Sequence, residues 1–183
     1  MATTQAPTTS TTWKIDSAHT LVEFAVKHLM ITTVKGRFAD VEGEIVIARG
    51  DPSRSSVRAT IKAASIDTRT EQRDAHLRSA DFLDAEHFPE ITFTSTRITG
   101  SASELEVVGD LTIRGVTKEV TLHATNEGSG KDPWGGERIG FSAQTKFDRR
   151  DFGLVWNQMI ESGGVTVGHE VKVLLEVQAV KQA

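Results

Sequence analysis

The chain has no cysteine among its 183 residues. A disulfide framework is therefore excluded, although that absence does not fix a compartment. It has no excess of basic residues: 21 Lys and Arg against 25 Asp and Glu leave a net charge of -4 and a pI near 5.9. No basic face is indicated, which argues against nucleic acid as the main partner. No apolar run approaches the roughly 18 residues of a membrane-spanning helix. The first dozen residues, Met1 to Thr12, are Thr-rich and polar, with neither a basic start nor an apolar stretch. They do not resemble a secretory signal. They are read as a flexible, dispensable tail over residues 1–12, and the protein is expected in the cytoplasm.

The signatures of the common enzyme classes are missing as well. There is no G-x-S-x-G elbow, no G-x-x-x-x-G-K-[ST] loop, no H-E-x-x-H and no G-x-G-x-x-G. The six histidines are scattered without a pair at metal-ligand spacing on one element, so no metal and no cofactor is expected. Asp74 and His76 lie two apart in a helical stretch and would point in different directions. They are read as caps or bridges to neighbouring loops, not as an acid–base dyad.

What the chain does have is period-two alternation over most of its length. Val22, Phe24 and Val26 alternate with Glu23 and Lys27; Val41, Gly43, Ile45 and Ile47 with Glu42 and Glu44. The pattern recurs through Val57–Ala63, Ile91–Ile98, Leu105–Ile113, Val116–Leu122, Ile139–Phe147 and Val171–Val177. That is about eight strands with hairpin spacing and one-sided burial, which favours a single all-β domain over residues 13–180 built as an antiparallel barrel. Such a barrel is about wide enough for one small or elongated ligand. On the inward phase lie Phe24, Ile45, Ile61, Phe93, Val107 and Leu111, followed by Phe141 and Phe147; Phe152 and Trp156 come from an irregular covering segment. All ten are candidates for an apolar bore. Gly43, Ala59, Ala63, Gly109 and Ala143 on the same phase leave space, unless larger neighbours fill it.

One stretch, Ser65 to Thr96, interrupts the strands. Thr68 and Glu71 have the spacing of a capping box, good helix formers follow, and Pro89 forbids continuation. A short helix near residues 70–83 is predicted, lying across one barrel end as a lid. Arginines gather there (Arg69, Arg73, Arg78) and in the other irregular segment (Arg149, Arg150). Arginine suits bidentate pairing with phosphate or carboxylate. Arg73, His76, Arg78 and Arg149 are therefore candidates to hold a ligand head group, against the alternative of salt bridges to Asp74, Asp81, Asp84 and Asp151.

Several dispersed motifs, in order, resemble the YceI-like, polyisoprenoid-binding family. They are Trp13-Lys14-Ile15-Asp16-Ser17-Ala18-His19-Thr20, Phe24-Ala25-Val26-Lys27-His28-Leu29-Met30 and Gly36-Arg37-Phe38. The helical stretch carries the most specific ones: Ser65-Ile66-Asp67-Thr68, Arg73 to Phe82, and Phe88-Pro89-Glu90-Ile91-Thr92-Phe93. Gly109 to Thr117 and Arg149-Arg150-Asp151-Phe152-Gly153 complete the set. Leu83 and His169 depart from residues common there, Phe and Asp, at positions expected to be edges. The resemblance implies a lipocalin-like barrel whose interior holds a polyisoprenoid or other long-chain lipid, often as a homodimer. The function expected is that of a non-catalytic lipid carrier. The alternatives are an enzyme using the bore as a substrate tunnel, with His76 or His28 as base, and a filled barrel acting as an interaction scaffold.

Overall fold

The computed structural model describes residues 9–183. Its strands are β1 (Ser10–Ile15), β2 (Leu21–His28), β3 (Thr32–Phe38), β4 (Val41–Ala48), β5 (Ser56–Lys62), β6 (Ile66–Asp67), β7 (Glu90–Gly100), β8 (Glu104–Ile113), β9 (Val116–Lys131), β10 (Glu137–Asp148) and β11 (Val167–Lys181), with one helix, α1 (Glu71–Arg78). Every pairing is antiparallel. β11 pairs with β1 through Ala179 to Lys181 and with β2 through Val167 to Glu176, so β1 and β2 are two halves of one strand, broken by a 3-10 turn at Ser17–His19. β4 pairs with β1 and β3 with β2; β5 pairs with β4 and β6 with β3. β3 and β4 are likewise two halves of one strand, divided at Ala39 and Asp40. A third break falls at Ala63–Ser65. The outcome is a closed antiparallel barrel of eight long strands, three of them broken, with one short helix. Closure is made by the β1–β11 pairing, and the two-residue β6 at the end of the order pairs with β3 alone among the described residues.

β1 begins at Ser10, three residues inside the expected tail, and its Thr11 and Thr12 pair with Ile47 and Val46. The part of that tail before Thr9 lies outside the described residues.

The barrel has two different ends. At one end short connections join β4 to β5, β7 to β8 and β9 to β10. At the other lie the β2–β3 turn, the segment 68–89 with α1, and the loop 149–166. A buried cluster of Ala63, Ile66, Leu83, Ile91, Ile113, Phe152 and Leu154 fills the wall of this helix end. Leu83, expected at an edge, is a core residue there, 7% exposed.

Helix α1 starts without the predicted capping box. Thr70 is the N-cap and its side chain makes no capping bond. Thr68 instead donates its backbone N–H (2.9 Å) and its hydroxyl (2.5 Å) to Asp74 Oδ1, and both residues are buried. Arg69 takes a positive φ of 63° and turns the chain, so that Asp74 at the end of the first helical turn, not Glu71 at its start, meets Thr68.

At the opposite end Arg138 ties three elements together. Its Nη1 donates to Asp16 Oδ2 and Gln178 Oε1, both at 2.7 Å, and its Nε to Asp132 Oδ2 at 2.9 Å. The guanidinium holds both carboxyls below their ordinary value of 3.8. A lowered carboxyl contributes stability that is fully present above the ordinary value and is lost as pH falls through the folded one. Arg138→Met should therefore lower the urea midpoint more at pH 7 than at a pH low enough to protonate both carboxyls. An equal loss at both pH values would show that Arg138 acts through packing and its bond to Gln178, not through the two carboxyls.

Candidate functional site

A cavity of about 800 Å³ runs along the barrel interior, within the roughly 300–1,000 Å³ typical of small-molecule sites. All ten residues proposed from sequence for the bore line it. On β10 the lining extends from Ile139 to Phe147, eight steps of about 3.3 Å or roughly 26 Å along the strand. At a typical barrel tilt that is about 20 Å along the axis. The space is therefore long and narrow, suited to an elongated molecule.

The small residues divide into two groups. Ala59 and Ala143 line the cavity; Gly43, Ala63 and Gly109 do not. The Phe93 ring lies over Gly109, where a Cβ would come within 2.5 Å of Phe93 Cζ and 2.6 Å of Thr94 O. Gly43 sits against Arg58 O and the Ile15 side chain in the same way, and Ala63 belongs to the buried cluster. For these three the larger neighbours do fill the space.

Polar groups reach the cavity mainly near its ends. Helix α1 directs Arg73, His76 and Leu77 at it, and Phe82, Leu83, Phe152, Leu154 and Trp156 close in from either side. His76 Nε2 is 2.8 Å from Asp81 Oδ2, and its ring makes edge contacts with Trp156 (4.6 Å) and Phe82 (5.1 Å). It is thus oriented by a carboxylate and packed between aromatic rings. Asp74 bonds to Thr68, away from His76, as the two-residue spacing requires.

The arginines are used differently from one another. Arg73 donates from Nε to Thr68 Oγ1 (2.7 Å) and from Nη2 to Thr68 O (2.9 Å) and Thr70 Oγ1 (3.2 Å). Among the described residues it forms no ion pair. Arg149 is only 4% exposed. Its Nε donates to Gly168 O (2.8 Å), its Nη1 to Leu154 O (2.6 Å) and Trp156 O (3.0 Å), and its Nη2 to Val167 O (3.2 Å). Four of its five N–H groups thus hold the 153–168 segment in place. No carboxylate pairs with it among the described residues, and burial pushes its pKa down. Arg78 is a correction: it does not line the cavity. It donates to Ala64 O (3.1 Å) and Ile66 O (3.4 Å) and pairs with the exposed Glu71, because the α1 turn carrying it faces the β5–β6 break.

The salt bridges weighed against a head-group role also differ from expectation. Asp74 is taken by Thr68, Asp81 by His76 and Asp84 by His87. Arg150 pairs with Asp148 at 2.6 Å and holds that carboxyl at about 2. Thr68 and Leu154, which line the bore, were missed from sequence because both sit where the alternation stops. Among the described residues no group of three or more His, Asp or Glu could hold a metal, and no helix is long and apolar enough to cross a membrane.

Residues 13–179 match the YceI-like domain family. The chain belongs to the YceI-like family. It is 40% identical over 172 residues to Protein YceI of Escherichia coli O157:H7, covering 93% of this chain and 87% of the relative. Among solved structures it resembles the Campylobacter jejuni YCEI protein, 34% identical with a TM-score of 0.72, over 86% of this chain and 90% of that one. A polyisoprenoid binding domain from Saccharophagus degradans shares the fold, with a TM-score of 0.65 and 15% identity over 93% of this chain and 98% of that one.

Proposed function

We propose that the barrel takes up a long-chain isoprenoid or similar amphiphile and carries it unchanged. The observation that carries this reading is a long, apolar cavity of about 800 Å³ with two cations, Arg73 and Arg149, at the helix end. Each methylene moved from water into such a bore contributes roughly 0.8 kcal/mol, so a long chain binds with few polar contacts. Neither arginine has a carboxylate partner among the described residues, which favours an anionic head group beside α1. The polyisoprenoid-binding description of the Saccharophagus neighbour supports the choice of ligand class.

The enzyme reading has less behind it. Of its two candidate bases, His76 bonds Asp81 and lies between two aromatic rings, and His28 is exposed at the end of β2.

Mass spectrometry of an organic extract of the purified protein should find a long-chain lipid. Exchange with an added labelled isoprenoid should return that lipid chemically unaltered. Arg73→Ala should weaken an acidic amphiphile by about 1–3 kcal/mol and leave a neutral one of equal chain length unaffected. Equal losses would make Arg73 a support for the Thr68 turn. A protein that neither contains nor takes up either lipid would sink the carrier reading.

A further inference from the structure

We propose that the helix end of the barrel docks onto a lipid bilayer, inserting the tips of the β2–β3 turn and of the 155–160 loop. Four large apolar side chains stand out there: Met30 is 62% exposed, Ile31 78%, Val155 66% and Met159 71%. The two segments are neighbours. Leu29 N donates to Thr166 O (2.9 Å), Thr166 N donates to Gln158 O (3.0 Å), and Met159 bridges to Val165. Three chain segments therefore run side by side at about 4.8 Å spacing, which places the two tips roughly 10 Å apart.

The turn itself is an unexpected place for these residues. Ile31 N bonds His28 O at 3.0 Å, and Leu29 and Met30 have φ of 52° and 57°. That is the two-residue turn usually made by Asn-Gly, and bulky side chains are strained in it. None of residues 29–31 belongs to a buried cluster. The strained, apolar tip therefore does nothing for the core, and backbone strain of this kind points to function.

The surface also excludes other occupants. The four side chains amount to a few hundred Å², well short of the roughly 800 Å² per partner of a standard protein interface. Nearby charges are mixed, with Lys27 and His28 against Asp151 and Glu161, so no basic cluster selects anionic lipid. Insertion, not charge, would hold the protein to a neutral bilayer. The rim is continuous with the bore, since His28, Trp156 and Thr166 line its end. The proposal rests on the carrier reading only for its purpose, the transfer of lipid between bilayer and bore.

The test is flotation of the full chain with neutral phosphatidylcholine vesicles, at low and at high salt. Wild type should float with the vesicles equally at both. Met30→Asp combined with Met159→Asp should reduce the bound fraction at least about tenfold, with melting temperature and co-purified lipid unchanged. Asp tolerates a positive φ better than Met, so the double variant should fold. Trp134→Ser, in the β9–β10 turn at the opposite end, should float like wild type. Wild type that stays off the vesicles, a double variant that floats as well as wild type, or loss of binding in Trp134→Ser would each overturn the proposal. So would a wild-type dimer that the double variant converts to monomer without any vesicle binding, since the occupant would then be a second copy. Loss of co-purified lipid with flotation intact would count against the carrier reading alone.

Discussion

Ala143→Trp should give a folded protein that purifies without lipid. Ala143 lies on β10, lines the cavity and touches the cluster of Phe93, Val107 and Ala124. In a filled core an indole in place of a methyl group costs about 1–3 kcal/mol in strain, or more. Here it enters space that ligand would occupy, so the melting temperature should fall by no more than a few degrees while the lipid signal in an organic extract falls to background. Ala59→Trp on β5 provides an independent reading, because β5 and β10 stand four strands apart in the closed ring of eight and so block the bore from opposite walls. Lipid content equal to wild type in both variants would place the ligand elsewhere. Unfolding of both would mean that the cavity is not available to a side chain.

The second large effect is expected at Arg149. Arg149→Ala removes a donor from Leu154 O, Trp156 O and Gly168 O, whereas Val167 O keeps Asn157 Nδ2 at 2.7 Å. A buried carbonyl left unsatisfied costs about 1–3 kcal/mol. The bonds to Leu154 and Gly168 are buried, while those to Trp156 and Val167 are partly open to water. Relief from burying the cation offsets some of the loss. A net destabilisation of about 3–5 kcal/mol is expected from urea titration. Amide exchange should accelerate through residues 154–168 before the rest of the barrel. Arg149→Lys should recover only part, because a single ammonium cannot span four carbonyls distributed along that segment. A loss under about 1 kcal/mol would show that the segment is held by its apolar contacts alone.

The strands were legible because one-sided burial imposes period two. β10 and β11, with Ile139-Phe141-Ala143 and Val171-Val173-Leu175, match their register without adjustment. The bore residues followed from the same phase. What failed to show depended on neighbours across the sheet or on backbone conformation. Gly109 looked like free space, but the Phe93 ring that fills it comes from an adjacent strand. Thr68 and Glu71 had the spacing of a cap, yet the positive φ of Arg69 hands that role to Asp74. The partners of Arg149 could not be foreseen, because they are carbonyl oxygens, which every residue has and no sequence marks. The protruding Met30 and Ile31 fell in a stretch whose alternation was already irregular.

The three broken strands have a further effect on which side chains see the interior. Along the first, Ile15 lines the bore before the break, and Val22, Phe24 and Val26 after it: odd numbers become even. Along the second, Val34 and Phe38 give way to Val41 and Ile45; along the third, Ala59 and Ile61 give way to Ile66 and Thr68. Each break is thus a parity switch, and the three switches lie on neighbouring strands. Because successive strand residues face opposite sides, one residue more or fewer at 39–40 or 63–65 would turn the half-strand beyond it inside out, presenting Glu42 and Glu44 or Asp67 to the lumen. The lengths of these short kinks, as much as the composition of the strands, keep the tunnel greasy from end to end.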